Sequence, residues 1–159
     1  MIRGEAIRPA ELPEDLAVVR RLFGDYAASL GISLAFQSFD RELAALPGAY
    51  APPQGRLLIA WHQDAPVGCV ALRPLEKDVC EMKRLYVSPP ARATGLGRRL
   101  AERICSEARS AGYRRMRLDT LPSMSAAQRV YRSLGFGEIE PYCFNPLPDA
   151  VFLELDLEK

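Results

Sequence analysis

The stretch that decides the fold reads Arg92-Ala93-Thr94-Gly95-Leu96-Gly97. It follows a β-rich segment, Cys80 to Val87, which Ser88-Pro89-Pro90 ends, and it precedes an amphipathic helix predicted from Gly97 to Ala111. A helix N-terminus presents unpaired N–H groups and the positive end of the helix dipole. Glycines there let a phosphate approach the backbone, and Thr94 adds a hydroxyl. The stretch predicts an anion-binding turn; a helix that merely begins with glycines is the open alternative.

Two other phosphate-binding motifs fail at this turn. A P-loop requires Gly-Lys-Ser/Thr, but Arg98 follows Gly97. A dinucleotide-binding fingerprint requires a third small residue where Leu100 stands. Asp119, in the next predicted strand, is the one feature that agrees with that fingerprint. A structural hydrogen bond at a strand end is the alternative explanation for Asp119.

The sequence before the turn indicates strands and helices in a mostly antiparallel meander. An edge strand is predicted from Ile2 to Arg8, followed by a helix that Gly31 ends. A second short helix is predicted after Ser38. Two β-rich runs around a polar turn then predict a hairpin, with strands at Leu57 to Trp61 and Val67 to Arg73.

After the turn, strands and helices alternate. Tyr113 to Thr120 alternates as a strand, and Ser125 to Gln128 has the pattern of a capping box that opens a helix. Gly135 is predicted to end that helix, and Val151 to Leu157 alternates as a last strand. The prediction is an α/β (α+β) fold: one domain over residues 1–159 with a mixed, mostly antiparallel sheet and helices on both faces.

Composition narrows the class of protein. The chain has 159 residues and a net charge of +1, so no global field draws it onto nucleic acid or a membrane surface. Neither a signal peptide nor a membrane span is predicted, and a cytoplasmic monomer or homodimer is expected. The four widely spaced cysteines predict reduced, buried thiols without a metal site. His62, the only histidine, is expected to be an unremarkable turn residue.

Three motifs in order resemble those of the GNAT superfamily of N-acetyltransferases. The stretch from Arg92 to Gly97 fits the family's Gln/Arg-x-x-Gly-x-Gly/Ala turn in full. Val87 occupies the strand end five places before the Arg. Downstream, Ala127 and Tyr131 match Ala-x-x-x-Tyr, and Gly135-Phe136 matches the Gly-Phe pair. The family often has Asn seven places before the Tyr, where this sequence has Met124, which leaves Ser123 or Ser125 to replace that contact.

The resemblance implies an acetyl-CoA-dependent transferase without a metal. In the family the backbone of the turn holds the pyrophosphate of CoA, and the preceding strand end splays to bind pantetheine and the thioester carbonyl. Tyr131 would lie near the CoA sulfur. The residues implied in cofactor binding are Leu85, Tyr86, Val87, Arg92, Ala93, Thr94, Gly95, Leu96, Gly97, Arg98 and Tyr131.

Acetyl transfer to an amine needs a base, an oxyanion site and an acid. Glu81 is the candidate base, since a glutamate at this offset serves as base in some histone-acetylating members of the family. Period two would place Glu81 on the same face as Leu85 and Val87. A structural carboxylate paired with Lys83, Arg84 or Arg117 is the equal alternative. Tyr131 is the candidate acid, with a place in the helix core as the alternative.

The acceptor is the least determined part of the prediction. In the family the first helices and the loop before the last strand line the acceptor site, which here points to Tyr26, Tyr142 and Asn145, with Phe36 and Gln37 also available. Cations on the strands (Arg73, Lys83, Arg84 and Arg117) indicate either a carboxylated acceptor or a solvated sheet face. The expected acceptor is a primary amine of a small molecule or peptide; a non-catalytic acyl-CoA-binding domain is the second hypothesis.

Overall fold

In the computed structural model, which describes residues 5–31, 33–34 and 38–159, seven strands form one sheet. Their bounds are β1 (Glu5–Pro9), β2 (Arg56–His62), β3 (Ala65–Glu76), β4 (Val79–Val87), β5 (Arg115–Thr120), β6 (Gly137–Ile139) and β7 (Val151–Asp156). The order across the sheet is β1-β2-β3-β4-β5-β7-β6. Among the seven strands of the described residues, only β4 and β5 are parallel neighbours, so the predicted mixed, mostly antiparallel sheet is confirmed.

Helices cover both faces of the sheet, as predicted. The helices of the described residues are α1 (Leu16–Leu30), α2 (Phe39–Ala44), α3 (Leu96–Ser110) and α4 (Ser125–Ser133). On one face α3 buries Leu100 and Ile104 completely in a core that Tyr131 of α4 joins. On the other face α1 buries Leu22 and Phe23 in a second core. The parallel β4-to-β5 connection carries α3, which places the anion-binding turn at the carboxyl end of β4.

Two local predictions differ from the structure. Met124, not Ser125, caps α4, and no capping side-chain bond forms. Gln128 instead donates from Nε2 to the carbonyl of Leu121 at 2.7 Å, so the predicted capping box is wrong. Strand β6 was not predicted, because three residues between Gly135 and a proline-rich loop carry no alternating apolar pattern. Of the predicted edge strand, residues 2–4 lie outside the described part of the chain.

The cysteines are all free, and three of them are buried. Cys143 is exposed in the loop after β6, which corrects the expectation that every thiol is buried. Along residues 5–31, 33–34 and 38–159, no helix combines the length and apolar character that crossing a bilayer requires. That same part of the chain holds no group of three or more His, Cys, Asp or Glu side chains placed to bind a metal ion.

Candidate active site

A wedge opens in the middle of the sheet. Strand β4 pairs with β5 only at its start, from Val79 opposite Arg115 to Glu81 opposite Arg117. Beyond this point β5 continues to pair with β7, and no further β4–β5 pair forms along the part of the chain that the structure describes. The backbone polar groups of Leu85, Tyr86 and Val87 on that side therefore have no strand partner among the described residues and can face a ligand. The predicted splay of Leu85-Tyr86-Val87 from the neighbouring strand is present.

A β-bulge in β4 turns the strand just before this wedge. Cys69 pairs with Tyr86 but Ala71 pairs with Lys83, so β4 advances by one more residue than β3. Arg84 occupies the bulge with φ +63°, a left-handed conformation that is costly for a residue with a side chain. It is held there by a bidentate pair with Glu42, with both N–O distances 2.9 Å.

The bulge corrects the predicted face of Glu81. An inserted residue reverses the alternation of side chains, so Leu85 and Val87 pack with the α3 core. Glu81 lies on the opposite face, where it contacts Arg73 and Tyr142. A strict period of two across β4 was therefore the wrong assumption.

The turn before α3 has the backbone of an anion site. Ala93 and Gly95 both have positive φ, of 62° and 83°. The Arg92 N–H donates to the Pro89 carbonyl at 3.2 Å, and the next N–H with a backbone acceptor is that of Arg99, which donates to the Gly95 carbonyl at 3.1 Å. Among the described residues, the N–H groups from Ala93 to Arg98 have no hydrogen-bond acceptor. Such a run of unpaired donors at a helix N-terminus favours an anion.

Side chains of the turn fix its shape. Arg92 donates from Nε to the carbonyl of Val87 at 2.9 Å, and Thr94 donates from Oγ1 to the carbonyl of Ala91 at 2.6 Å. Arg98 reaches Ser133 of α4 with an Nη1–Oγ distance of 2.5 Å. The Leu96 side chain is buried in the core. Only the backbone of Leu96 can therefore face a ligand, and the Thr94 hydroxyl already donates its hydrogen to the Ala91 carbonyl.

A groove of about 600 Å³ runs between the wedge and the turn. It is lined by most of the predicted cofactor residues, although Thr94 and Tyr131 are not among them. The start of helix α4 and the residues before it form another wall, where Ser123 and Ser125, the two residues offered in place of the family's Asn, line the groove together with Met124. The predicted residues that line it are Leu85, Tyr86, Val87, Arg92, Ala93, Gly95, Leu96, Gly97 and Arg98.

A smaller cavity of about 40 Å³ adjoins the groove. The two share four lining residues, Tyr26, Leu30, Leu85 and Met124. Polar groups of the small cavity include Lys83, Asp119, Tyr131 and Asn145. Tyr26 and Asn145 are predicted on the acceptor side, and Lys83 is predicted as one of several strand cations and as a possible partner of Glu81. Because the two cavities share these residues, the small cavity is a continuation of the groove.

Tyr131 lies at the small cavity and in the core at once. Its side chain is buried, and its ring packs against Phe136 with centroids 5.7 Å apart. Burial, with smaller effects from Tyr26 and Asp119, raises the pKa of the phenol above its usual value. Within the described part of the chain its hydroxyl has no hydrogen-bond partner. The phenol is thus neutral and able to donate its proton.

Glu81 is a buried carboxylate with both oxygens occupied. Arg73 pairs with Oε1 at 2.9 Å, and the Tyr142 hydroxyl donates to Oε2 at 2.7 Å. Burial alone would raise the pKa of Glu81, but Lys83, the Tyr142 hydrogen bond and Arg73 together hold it below its usual value. Glu81 and Tyr142 line neither cavity. These contacts favour the structural alternative for Glu81, with Arg73 as the ion-pair partner.

Asp119 and Lys83 face each other in the small cavity. Their Oδ1 and Nζ atoms are 4.0 Å apart, and Asn145 donates from Nδ2 to the second Asp119 oxygen at 3.1 Å. Burial lowers the pKa of Lys83, and the nearby carboxylates of Glu81 and Asp119 act in the opposite direction. Asp119 thus makes a hydrogen bond at the end of its strand, the structural alternative that the sequence offered, and its carboxylate also lines the small cavity. Phe36 and Gln37 lie outside the described residues.

Comparison with known proteins gives one consistent family. Residues 20–136 match the model of the acetyltransferase (GNAT) family. An uncharacterized N-acetyltransferase of Schizosaccharomyces pombe is 40% identical, over 97% of this chain and 96% of the relative. A GNAT-family acetyltransferase of Staphylococcus aureus superposes with a TM-score of 0.78 at 18% identity, over 96% of this chain and 99% of the other. The Salmonella typhimurium protein yncA, solved with acetyl-CoA, gives 0.74 at 23% identity, over 98% and 95%.

Proposed function

The chain belongs to the acetyltransferase (GNAT) family, and we propose that it transfers acetyl from acetyl-CoA to a primary amine of a small molecule or peptide by direct attack. The observation that carries this proposal is the run of unpaired N–H groups from Ala93 to Arg98 beside a groove of about 600 Å³. Acetyl-CoA supplies the activated acetyl group, and these donors would hold its pyrophosphate. The backbone of Leu85 to Val87 would bind the pantetheine arm, because β5 has left that side of β4 unpaired.

Tyr131 is proposed as the acid. When the amine nitrogen forms its bond to the acetyl carbon and the carbon–sulfur bond breaks, the sulfur leaves as a thiolate that needs a proton. The Tyr131 hydroxyl is protonated, lacks a partner among the described residues, and lies at the cavity that adjoins the groove. These three properties suit a proton donor to the leaving group.

Asp119, rather than Glu81, is proposed to receive the proton of the amine. An amine must lose a proton before it can attack, since an alkylammonium with a pKa near 10.4 is almost entirely charged at pH 7. Asp119 lines the small cavity together with Tyr131, whereas Glu81 has Arg73 and Tyr142 on its two oxygens. Asp119 can take the proton directly or through one water.

The setting of the reaction is also proposed from the sequence. A net charge of +1 gives no general attraction to nucleic acid or anionic lipid, so neither is proposed as a partner. We place the enzyme in the cytoplasm, as one domain that acts as a monomer or homodimer. Gel filtration with light scattering tests the oligomeric state.

Turnover of acetyl-CoA over a panel of primary amines, measured as released thiol, tests the proposed function. We expect at least one amine to accelerate thiol release far above hydrolysis in buffer. Calorimetry measures the binding of CoA in parallel. Tight CoA binding without turnover for any amine would indicate a non-catalytic CoA-binding domain, and absence of CoA binding would contradict the proposal altogether.

A further inference from the structure

The groove and the small cavity meet at one point along β4. Tyr86 and Val87 line the groove, Leu85 lines both cavities, and Lys83 and Arg84 line the small cavity. A CoA molecule whose pyrophosphate is held by the turn before α3 would extend its pantetheine arm along the strand toward Leu85. Its thioester would therefore lie where the groove ends and the small cavity begins.

The four residues that line both cavities form what we call the junction: Tyr26, Leu30, Leu85 and Met124. Tyr26 and Leu30 are four residues apart on α1, which places them on one face of that helix. Of the four side chains, only that of Tyr26 carries a hydrogen-bond donor. The junction thus presents a single side-chain hydroxyl to a ligand, with apolar groups around it.

Arg84 fixes the Tyr26 side chain and strengthens its hydroxyl as a donor. The guanidinium carbon lies 5.7 Å from the centre of the Tyr26 ring, and Glu42 holds the same guanidinium through two N–O contacts of 2.9 Å. Burial raises the pKa of the Tyr26 phenol, whereas the charge of Arg84 and its hydrogen bond to the hydroxyl lower it. Because a guanidinium only donates hydrogen bonds, the phenol oxygen accepts this one and its hydrogen can be donated to a ligand.

We propose that the Tyr26 hydroxyl donates a hydrogen bond to the carbonyl oxygen of the bound thioester and stabilises the oxyanion that forms there. This assignment rests on the proposed acetyl transfer and adds a catalytic residue to it. When the amine nitrogen bonds to the acetyl carbon, an electron pair of the carbonyl moves onto the oxygen, and Tyr26 keeps its proton. The nitrogen then loses a proton to Asp119 or water. As the carbonyl re-forms, the carbon–sulfur bond breaks and the thiolate takes its proton from Tyr131.

The two tyrosines thus have separate tasks that follow from their places. Tyr131 lines the small cavity and serves the leaving sulfur, whereas Tyr26 lines both cavities and serves the carbonyl oxygen. An oxyanion accepts more than one hydrogen bond, so the Tyr26 hydroxyl can act together with a backbone N–H of the β4 segment that β5 leaves without a strand partner.

Infrared spectroscopy of the enzyme with acetyl-CoA that carries ¹³C at the acetyl carbonyl, without an acceptor amine, tests this inference. A hydrogen bond to a carbonyl lowers its stretching frequency, so the labelled band should lie lower in wild type than in Tyr26→Phe. Tyr113→Phe is the matched control and should keep the wild-type band, because Tyr113 bonds the carbonyl of Gln54 and lines neither cavity. A band at the same frequency in Tyr26→Phe and wild type overturns the inference.

Rates of thiol release supply a second readout. Loss of one oxyanion donor lowers kcat by about 10²–10³-fold, and we expect a loss in this range for Tyr26→Phe. CoA has no acetyl carbonyl, so its affinity, measured by calorimetry, should stay close to that of wild type and shows that the variant is folded. An undiminished kcat in Tyr26→Phe overturns the inference and leaves acetyl transfer intact. If the wild-type enzyme acetylates no amine at all, the proposed function fails and this inference fails with it.

Discussion

Tyr131 and Glu81 are both buried polar side chains, but their surroundings suit them to different tasks. The Tyr131 hydroxyl has no hydrogen-bond partner among the described residues and lines a cavity. The Glu81 carboxylate is bound by Arg73 and Tyr142 and lines none. A group that exchanges protons with a substrate needs access to it. At the scale of residues, accessibility therefore separates two candidates that the sequence motifs presented together.

Replacing Tyr131 with Phe should lower kcat by roughly 10²-fold, because the leaving thiolate loses its proton donor. CoA affinity should change little, since the groove lining does not include Tyr131. Stopped assays of thiol release and calorimetry with CoA measure the two effects. Tyr113→Phe is the matched control, because Tyr113 bonds the carbonyl of Gln54 far from the groove. An undiminished kcat in Tyr131→Phe removes this residue from the mechanism.

Glu81→Gln should destabilise the fold more than it impairs turnover. The variant leaves Arg73, whose side chain is 33% exposed, without its carboxylate, which costs about 1.5–3 kcal/mol of unfolding free energy. The pKa of Glu81 is lowered in the folded state, so its contribution is complete above its unfolded pKa, about 4.3, and is lost as the pH falls through the lower folded value.

Urea unfolding of wild type and Glu81→Gln at neutral and acidic pH measures this effect. The stability difference should be largest near pH 7 and shrink below about pH 4. Glu76→Gln, at an exposed carboxylate paired with Arg117, should show little difference at either pH. If Glu81→Gln keeps full stability but loses turnover, Glu81 is the base after all.

The turn and the bulge are the two elements that make the site, and they differ in how far the sequence reveals them. Glycines between a strand and a helix predict the turn from local sequence alone. The positive φ at Gly95 is expected there, because glycine adopts this conformation readily. The bulge places an arginine, Arg84, at positive φ, which no propensity predicts. Its cause is the long-range pair with Glu42 and the packing of α2.

Gly95→Ala tests the turn against a matched strained glycine. Both Gly95 and Gly112 have positive φ, 83° and 93°, so alanine costs each about 1–2 kcal/mol of stability. Only Gly95 lies in the groove wall. We expect Gly95→Ala to weaken CoA binding by roughly fivefold, because the turn must change its conformation to accept alanine at this position. Gly112→Ala should bind CoA like wild type, and equal losses in both variants would contradict the turn as the binding element.

At the scale of the whole molecule, local pattern predicted the sheet, the helices and the cofactor groove. These follow from alternation, helical spacing and glycine position, which each act over a few residues. The small cavity could not be predicted from such local patterns. Lys83 of β4, Asp119 of β5 and Asn145 of the late loop meet only because the sheet brings their elements together. Strand β6 was missed for the same reason, since pairing with β7 rather than its own three residues defines it.

The central claim is that the backbone from Ala93 to Arg98 holds the pyrophosphate of acetyl-CoA. Amide ¹H–¹⁵N spectra of the labelled protein, titrated with CoA and separately with NAD, test it most directly. We expect CoA to shift the amide protons of Ala93 to Arg98 strongly downfield, because new hydrogen bonds to an anion form, and NAD to leave them in place. CoA binding that leaves these amides unshifted would contradict it.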